Sequence, residues 1–183
     1  MPPMVMCIHL MSAYVQHLRD IIKECVAHQT HYDTQLKGFK VIVSIGNSCE
    51  REAISLTRRV VLTRGADLGV VFDTGLDRSG MVDGAGAAII RGRIIALIST
   101  IVLGEHPGTM VVTDTWSGDG LTRFIEARSG RRLQLLGRQG RASQRGRRED
   151  ARHGGELETT GHGTLRKNRF LDDCAYMVVK III

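Results

Sequence analysis

The chain has 183 residues, 43% of them hydrophobic, 24% charged and 4% aromatic, with a formal net charge of +6. These are the proportions of a soluble globular protein, and with so few aromatics the core has to be aliphatic, as in strands flanked by helices. The longest near-continuous apolar run, 94–103, falls well short of the roughly twenty residues that span a bilayer. Four cysteines at 7, 25, 49 and 174, with no Cys-x-x-Cys spacing, exclude a small disulfide-stapled framework.

In chain order, residues 1–9 lack the basic stretch and cleavage site of a signal peptide and read as a poorly ordered start. Leu10, Met11, Tyr14, Val15, Leu18, Ile21, Ile22, Cys25 and Val26 recur at helical spacing and predict an amphipathic helix ending near His28. Phe39 to Ile45 predicts a strand. Residues 50–64 predict a helix with Ala53, Leu56, Val60 and Val61 on one side, closed by Gly65, and 67–72 a second strand. Further along come a helix from Ile89 to Leu103, a strand from Thr109 to Thr113, a helix from Asp119 to Ala127 and a strand from Arg131 to Leu136. Asp119 is placed to cap its helix, and Gly130 to separate helix from strand. Alternating helices and strands joined by short crossovers predict an α/β protein with at least partly parallel pairing. Cys25 on the apolar helix face and Cys174 among apolar neighbours read as packed core thiols rather than metal or redox groups, which suits a reducing compartment.

Two loops carry the chemistry. Asp73-Thr74-Gly75-Leu76-Asp77-Arg78-Ser79 follows the apolar strand that ends at Phe72, so its carboxylates are delivered to a strand's carboxyl end, where open α/β sheets bind ligands. Alternation along extended backbone turns positions 73, 75 and 77 to one side. Magnesium takes oxygen ligands in a tight octahedron, usually carboxylates with water or phosphate oxygens, and Asp73 and Asp77 supply two of them; position 75, which would supply a third, is glycine. About eighty residues later, Glu158-Thr159-Thr160-Gly161-His162-Gly163 combines a carboxylate, a hydroxyl, an imidazole and two glycines. Such a loop can hydrogen-bond sugar hydroxyls while glycine lets backbone approach the ring, and His162 can move a proton near neutral pH.

In this order and spacing the motifs resemble those of the α-D-phosphohexomutases, the phosphoglucomutase and phosphomannomutase family. The Asp-x-Gly-x-Asp-Arg loop, the following Gly80 to Asp83 strand and Arg93-Ile94-Ile95-Ala96-Leu97 resemble that family's metal loop and next helix. Glu158-Thr159-Thr160-Gly161-His162 resembles its sugar-binding Glu-x-Ser-Gly-His signature, with threonine at 160, and Phe170-Leu171-Asp172-Asp173 continues the match. The resemblance implies two three-layer α/β/α units, the first incomplete: a shortened second family domain over 10–87, and the third domain over 88–183. It further implies phosphoryl transfer between hexose 1-phosphate and 6-phosphate, with Asp73 and Asp77 on magnesium and Arg78 against the phosphoryl group. Glu158, Thr160 and Gly161 would bind the sugar, and His162 would serve as acid or base. No Ser-His-Asn-Pro type loop, which would carry the family's phosphoserine, occurs in the 183 residues, so the chain reads as a fragment inactive alone.

The resemblance fails in two places. Between Asn47-Ser48 and Ile54-Ser55 the family pattern needs roughly thirty more residues, enough for a βα unit, and their loss is expected to leave strands unpaired and apolar faces uncovered. From Arg138 it gives way to an Arg/Gly-rich stretch, 137–155, with six arginines against Glu149 and Asp150 and almost nothing apolar. Such a stretch cannot offset its own ordering entropy and is expected to be disordered. With no aromatic residue between Phe124 and Phe170 to stack on bases, it reads as a solvated linker and not as a nucleic-acid-binding segment. The abrupt loss and recovery of pattern also fits a shifted reading frame or mistaken splice. The expected partners are a hexose phosphate and a full-length paralogue, not a membrane or nucleic acid, and the expected location is intracellular, cytoplasmic by default or plastid. An inert sugar-phosphate or protein-binding module, or the product of a damaged gene, are the alternatives to a mutase fragment.

Overall fold

The computed structural model describes residues 9–27, 29–45, 51–75, 77–114, 118–135 and 153–183, together with the backbone of the elements they form. They fall into two compact units, one of residues up to Gly38 with Ile183 and one of 39–182. Cys7, Cys49 and most of 137–155 lie outside the described residues.

The first unit holds α1, Leu10–Val26, followed by a short 3-10 turn at Tyr32–Thr34. The His9 side chain accepts from the Ser12 backbone N–H at 3.3 Å and so caps the helix start, while Ala27 ends it in a left-handed conformation. Lys23 Nζ reaches Asp33 Oδ1 at 2.8 Å, tying helix to turn. No residue of α1 is buried, and Cys25 is exposed. The expectation of a packed Cys25 thiol is therefore corrected: along the apolar stripe Tyr14, Leu18, Ile21, Ile22 and Val26 are half-buried, while Cys25 is exposed. Cys174 is buried, as expected.

The second unit is a mixed α/β arrangement on two four-stranded sheets. β1, Val41–Ile45, leads through α2, Arg51–Arg64, to β2, Leu68–Phe72, and the two strands pair in parallel, as a crossover helix dictates. β3, Ser79–Asp83, and β4, Ala88–Ile89, add on antiparallel in the order β1-β2-β3-β4. α2 lies close on β2 because Gly69 has no side chain. A Cβ there would stand 2.6 Å from Thr57 Cγ2 and 2.7 Å from Val61 Cγ2. β1 is an edge strand whose Val43 and Ile45 are 58% and 69% exposed.

α3, Arg91–Glu105, then leads to β5, Met110–Asp114, α4, Asp119–Glu126, and β6, Arg131–Leu135. β7, His153–Leu157, β8, Gly163–Leu165, and α5, Cys174–Ile182, complete the unit. The second sheet runs β6-β5-β7-β8, with β5 parallel to both β6 and β7 and β8 antiparallel. Residues 153–155 of the stretch expected to be disordered are thus strand; the rest of it is not described. Asp119 is not the cap of α4: Gly118, extended at ψ 171, holds that position, and Asp119 is the first helical residue, where its charge still favours the helix dipole. Gly130 separates α4 from β6 by allowing close packing, since a Cβ there would meet Leu103 Cδ1 at 2.7 Å. The preceding Ser129 carries the left-handed turn, at φ 59.

α5 joins the two sheets. Val178 packs in the core with Leu68, Val70 and Met81 of the first sheet, against which Phe72, Ile94, Ile181 and Ile182 are half-buried. The end of α3 is held to α5 by charge: the buried Lys180 Nζ donates to Glu105 Oε1, and Lys167 Nζ lies 3.1 Å from Glu105 Oε2. Burial pushes the Glu105 carboxyl up, but the two ammonium groups outweigh it and bring it below its ordinary value.

Candidate active site

The acidic loop leaves the end of β2 and returns as β3, and it is closed on itself. Asp73 N–H donates to the Arg78 carbonyl at 3.2 Å, Arg78 N–H returns to Asp73 Oδ1 at 3.3 Å, and Arg78 Nε donates to Asp73 Oδ2 at 2.8 Å. Asp73 is only 2% exposed. Burial pushes its carboxyl up; hydrogen bonds from the Arg78 side chain and backbone outweigh this and leave it below the ordinary 3.8.

A carboxyl held low in the folded chain stabilises the fold fully above its unfolded value, and that contribution is lost as pH falls through the folded value. Asp73 and Glu105 both have this sign. The urea midpoint is therefore expected to be flat from neutrality to about pH 5 and to fall steadily below about pH 4. A midpoint unchanged down to about pH 3 would contradict it.

At Gly75 no side chain stands beside the Asp73 and Asp77 carboxylates. A Cβ at 75 would lie 3.0 Å from Asp77 Oδ1 and 3.8 Å from Asp73 Oδ1, so both carboxylates face the same volume and positions 73, 75 and 77 do point one way. This pair fits a hard, oxygen-coordinated cation, with water or phosphate oxygens supplying the remaining positions. Arg78 already engages Asp73 Oδ2 and lies 3.8 Å from Asp77 Oδ1, so a bound ion shares both carboxylates with a guanidinium.

The second loop is a tight turn between β7 and β8. Glu158 N–H donates to the His162 carbonyl at 3.0 Å and Gly161 N–H to the Glu158 carbonyl at 3.1 Å. Gly161 needs to be glycine, since its φ is +100, and it packs against the first loop: a Cβ there would meet the Ser79 carbonyl at 3.4 Å and Arg78 Cβ at 3.6 Å. Thr160 Oγ1 donates to Glu158 Oε2 at 3.0 Å. The loops separated by about eighty residues in sequence are therefore in contact, and His162 Nδ1 comes to 3.7 Å from Asp77 Oδ2.

Three supporting residues were given no site role by the sequence, although Asp172 lies in the Phe170 to Asp173 stretch that continues the resemblance. Asp172 Oδ2 lies 2.7 Å from His162 Nδ1 and orients the imidazole. Asp114, at the end of β5, accepts from the Thr159 backbone N–H at 2.7 Å and from its hydroxyl at 2.5 Å, and Arg91 Nη1 donates to the Thr159 carbonyl at 3.1 Å. These contacts fix the backbone just ahead of Thr160. Asp114→Ala is expected to cost about 1–2 kcal/mol of stability and to speed amide hydrogen exchange at 159–162; unchanged exchange would show the loop to be held otherwise. Behind the loops, Ser79, Arg91, Glu158, Gly161 and His162 line a recess of ≈ 20 Å³, room for about one water.

No protein-family model matches the chain. Individual curated proteins do. A phosphomannomutase of Salmonella typhimurium is 33% identical over 106 residues, which are 55% of this chain and 22% of that protein. A phosphomannomutase/phosphoglucomutase of Pseudomonas putida is 36% identical over 69 residues, 38% of this chain and 15% of that one. Among solved structures, a phosphoglucomutase/phosphomannomutase family protein of Burkholderia thailandensis superimposes with a TM-score of 0.76 at 18% identity, covering 91% of this chain and 42% of its own.

The chain is thus similar in part of its sequence, and over most of its fold, to phosphomannomutases and phosphoglucomutases. The fold likeness extends to the phosphoglucomutase pp63/parafusin of Paramecium, with a TM-score of 0.65 at 9% identity over 93% of this chain and 37% of that one. Measured against the Salmonella relative, the phosphohexomutase-like chain spans about a fifth of the length. Among the described residues, no helix is long and apolar enough to cross a membrane.

Proposed function

We propose that the chain holds the metal-loop and sugar-loop part of a phosphohexomutase site, binds hexose phosphates there, and does not turn them over alone. In this reading the first sheet with α2 derives from a shortened second family domain, and the second sheet with α3, α4 and α5 from the third. The observation that carries it is the contact of the two loops: Gly161 closes on Ser79 and Arg78, and His162 Nδ1 sits 3.7 Å from Asp77 Oδ2.

Asp73 and Asp77 would hold Mg²⁺, which when bound stabilises the charge of a phosphoryl group. Arg78 is a second positive group beside it, and its hydrogen bonds to Asp73 keep the guanidinium at that place. Glu158 and Thr160 offer a carboxylate and a hydroxyl to sugar hydroxyls. His162, oriented by Asp172, is arranged as an acid or base whose partner fixes its ring. The recess behind the loops is too small for a hexose, so the sugar would lie across their outer face. The 183 residues contain no phosphoserine loop, and a donor of the transferred group is required.

A coupled assay for glucose 1-phosphate to 6-phosphate conversion, with Mg²⁺ and a trace of bisphosphate, tests this together with thermal unfolding. The expected result is no turnover and a melting temperature that rises with glucose 1-phosphate, as ligand binding to the folded state requires. Turnover, or a folded chain whose melting temperature ignores the sugar phosphate, would overturn the reading.

A further inference from the structure

We propose that Asp77, His162 and Asp172 form a site for a divalent transition-metal ion of the zinc and cobalt type, separate in chemistry from the all-oxygen pair Asp73 and Asp77. Their ligand atoms all lie within 4.8 Å of one another, although they come from three separate stretches of chain: the loop before β3, the turn before β8 and the segment before α5. His162 Nδ1 is 2.7 Å from Asp172 Oδ2 and 3.7 Å from Asp77 Oδ2. Bonds of about 2.0–2.2 Å to nitrogen and oxygen place tetrahedral donors roughly 3.4 Å apart, a value between these two distances, and the Asp77 and Asp172 ligand atoms, within 4.8 Å of each other, close to it by movement of side chains that are 40–42% exposed.

The hydrogen bonding favours an ion here. A single Nδ1–H serves one carboxylate, and at 3.7 Å Asp77 Oδ2 is beyond hydrogen-bond range of it. An ion replacing that proton is shared by all three donors. Arg78 faces the other oxygen, Asp77 Oδ1, at 3.8 Å, and Gly163 N–H approaches Asp172 Oδ1 at 3.4 Å. Each carboxylate thus has one oxygen directed elsewhere and Oδ2 turned to His162, the support from behind that orients metal ligands. Exposure of Asp77 and Asp172, at 42% and 40%, leaves room for water or a substrate oxygen in the fourth position. An imidazole ligand selects zinc, cobalt or nickel, whereas magnesium prefers oxygen alone. Because the donors bridge the two loops, the bound ion fastens the second sheet's turn to the first sheet's loop, and Asp77 cannot serve it and Mg²⁺ fully at once.

Titration of the full chain with Co²⁺, followed by visible absorption, tests the site without reference to activity. The expected result is one Co²⁺ per chain with ligand-field bands, displaced by Zn²⁺ and not by equimolar Mg²⁺. His162→Ala and Asp172→Asn should each weaken it at least about tenfold, while His106→Ala leaves it unchanged. Should His162→Ala fail to fold by circular dichroism, Asp172→Asn and a Zn²⁺-induced rise in wild-type melting temperature decide. Absence of Co²⁺ binding, binding that survives both substitutions, or displacement by equimolar Mg²⁺ would overturn the proposal.

Discussion

Gly75→Asp is expected to raise the affinity of the chain for Mg²⁺ at least about tenfold, equivalent to about 1.4 kcal/mol of binding free energy. Position 75 is flanked by the two carboxylates that would be its co-ligands, 3.0 Å to Asp77 Oδ1 and 3.8 Å to Asp73 Oδ1 from the new Cβ. The Asp77 side chain is 42% exposed and can give way by the few tenths of an ångström required. A third carboxylate would supply an anionic ligand where the pair alone would have to rely on water, and it would strengthen the set against Arg78, which holds Asp73. Without the ion the same substitution packs three carboxylates together, so the variant should be less stable than wild type in chelator and gain more from Mg²⁺. Calorimetric titration of both proteins gives the comparison; equal affinities would show that position 75 is not a ligand position.

Lys180→Ala is expected to destabilise the fold by about 3 kcal/mol. Glu105 is the last residue of α3, where the helix dipole disfavours a negative charge, and it is held there by Lys180 and Lys167. Lys180 is 4% exposed while Lys167 lies at the surface, so Lys167 alone cannot replace the buried partner, and truncation also leaves a cavity beside α5. Lys180→Met, which keeps most of the volume, should lose less, and Glu105→Gln combined with Lys180→Met should recover much of the loss because no buried charge remains unpaired. Urea unfolding measures all three. A loss under about 1 kcal/mol for Lys180→Ala would mean that packing alone, and not this ion pair, fastens α3 to α5.

The parts of this molecule that can be read from sequence are those set by local pattern. β2 and its acidic loop follow from five apolar residues running into the carboxylates at 73 and 77, and α2 ends at Gly65 because a left-handed residue, here at φ +56, closes a helix. The apolar stripe of α1 was equally plain, but periodicity reports a face that needs covering and not what covers it; Cys25 is consequently exposed where burial was expected. Asp119 was displaced from its capping role by one residue, the usual uncertainty of a helix boundary. Asp73, Asp77, Glu158 and His162 were singled out because their spacing resembles known motifs. Asp172 and Asp114 were passed over as site residues, since each acts on a residue brought to it by the fold: Asp172 on His162 across β8, and Asp114 on Thr159, 45 residues on, across parallel pairing of β5 and β7. No local pattern in one sequence reveals such a partner.

The central claim is that the two loops form one sugar-phosphate site. Calorimetric titration of glucose 1-phosphate in Mg²⁺ into the wild-type chain, Asp77→Asn and Glu158→Ala tests it most directly, because the substitutions lie in different loops. The account predicts saturable binding of one ligand per chain, weakened at least about tenfold by either substitution, a loss of about 1.4 kcal/mol. A folded wild-type chain that binds no sugar phosphate, or binding that one loop's substitution leaves untouched, would contradict it.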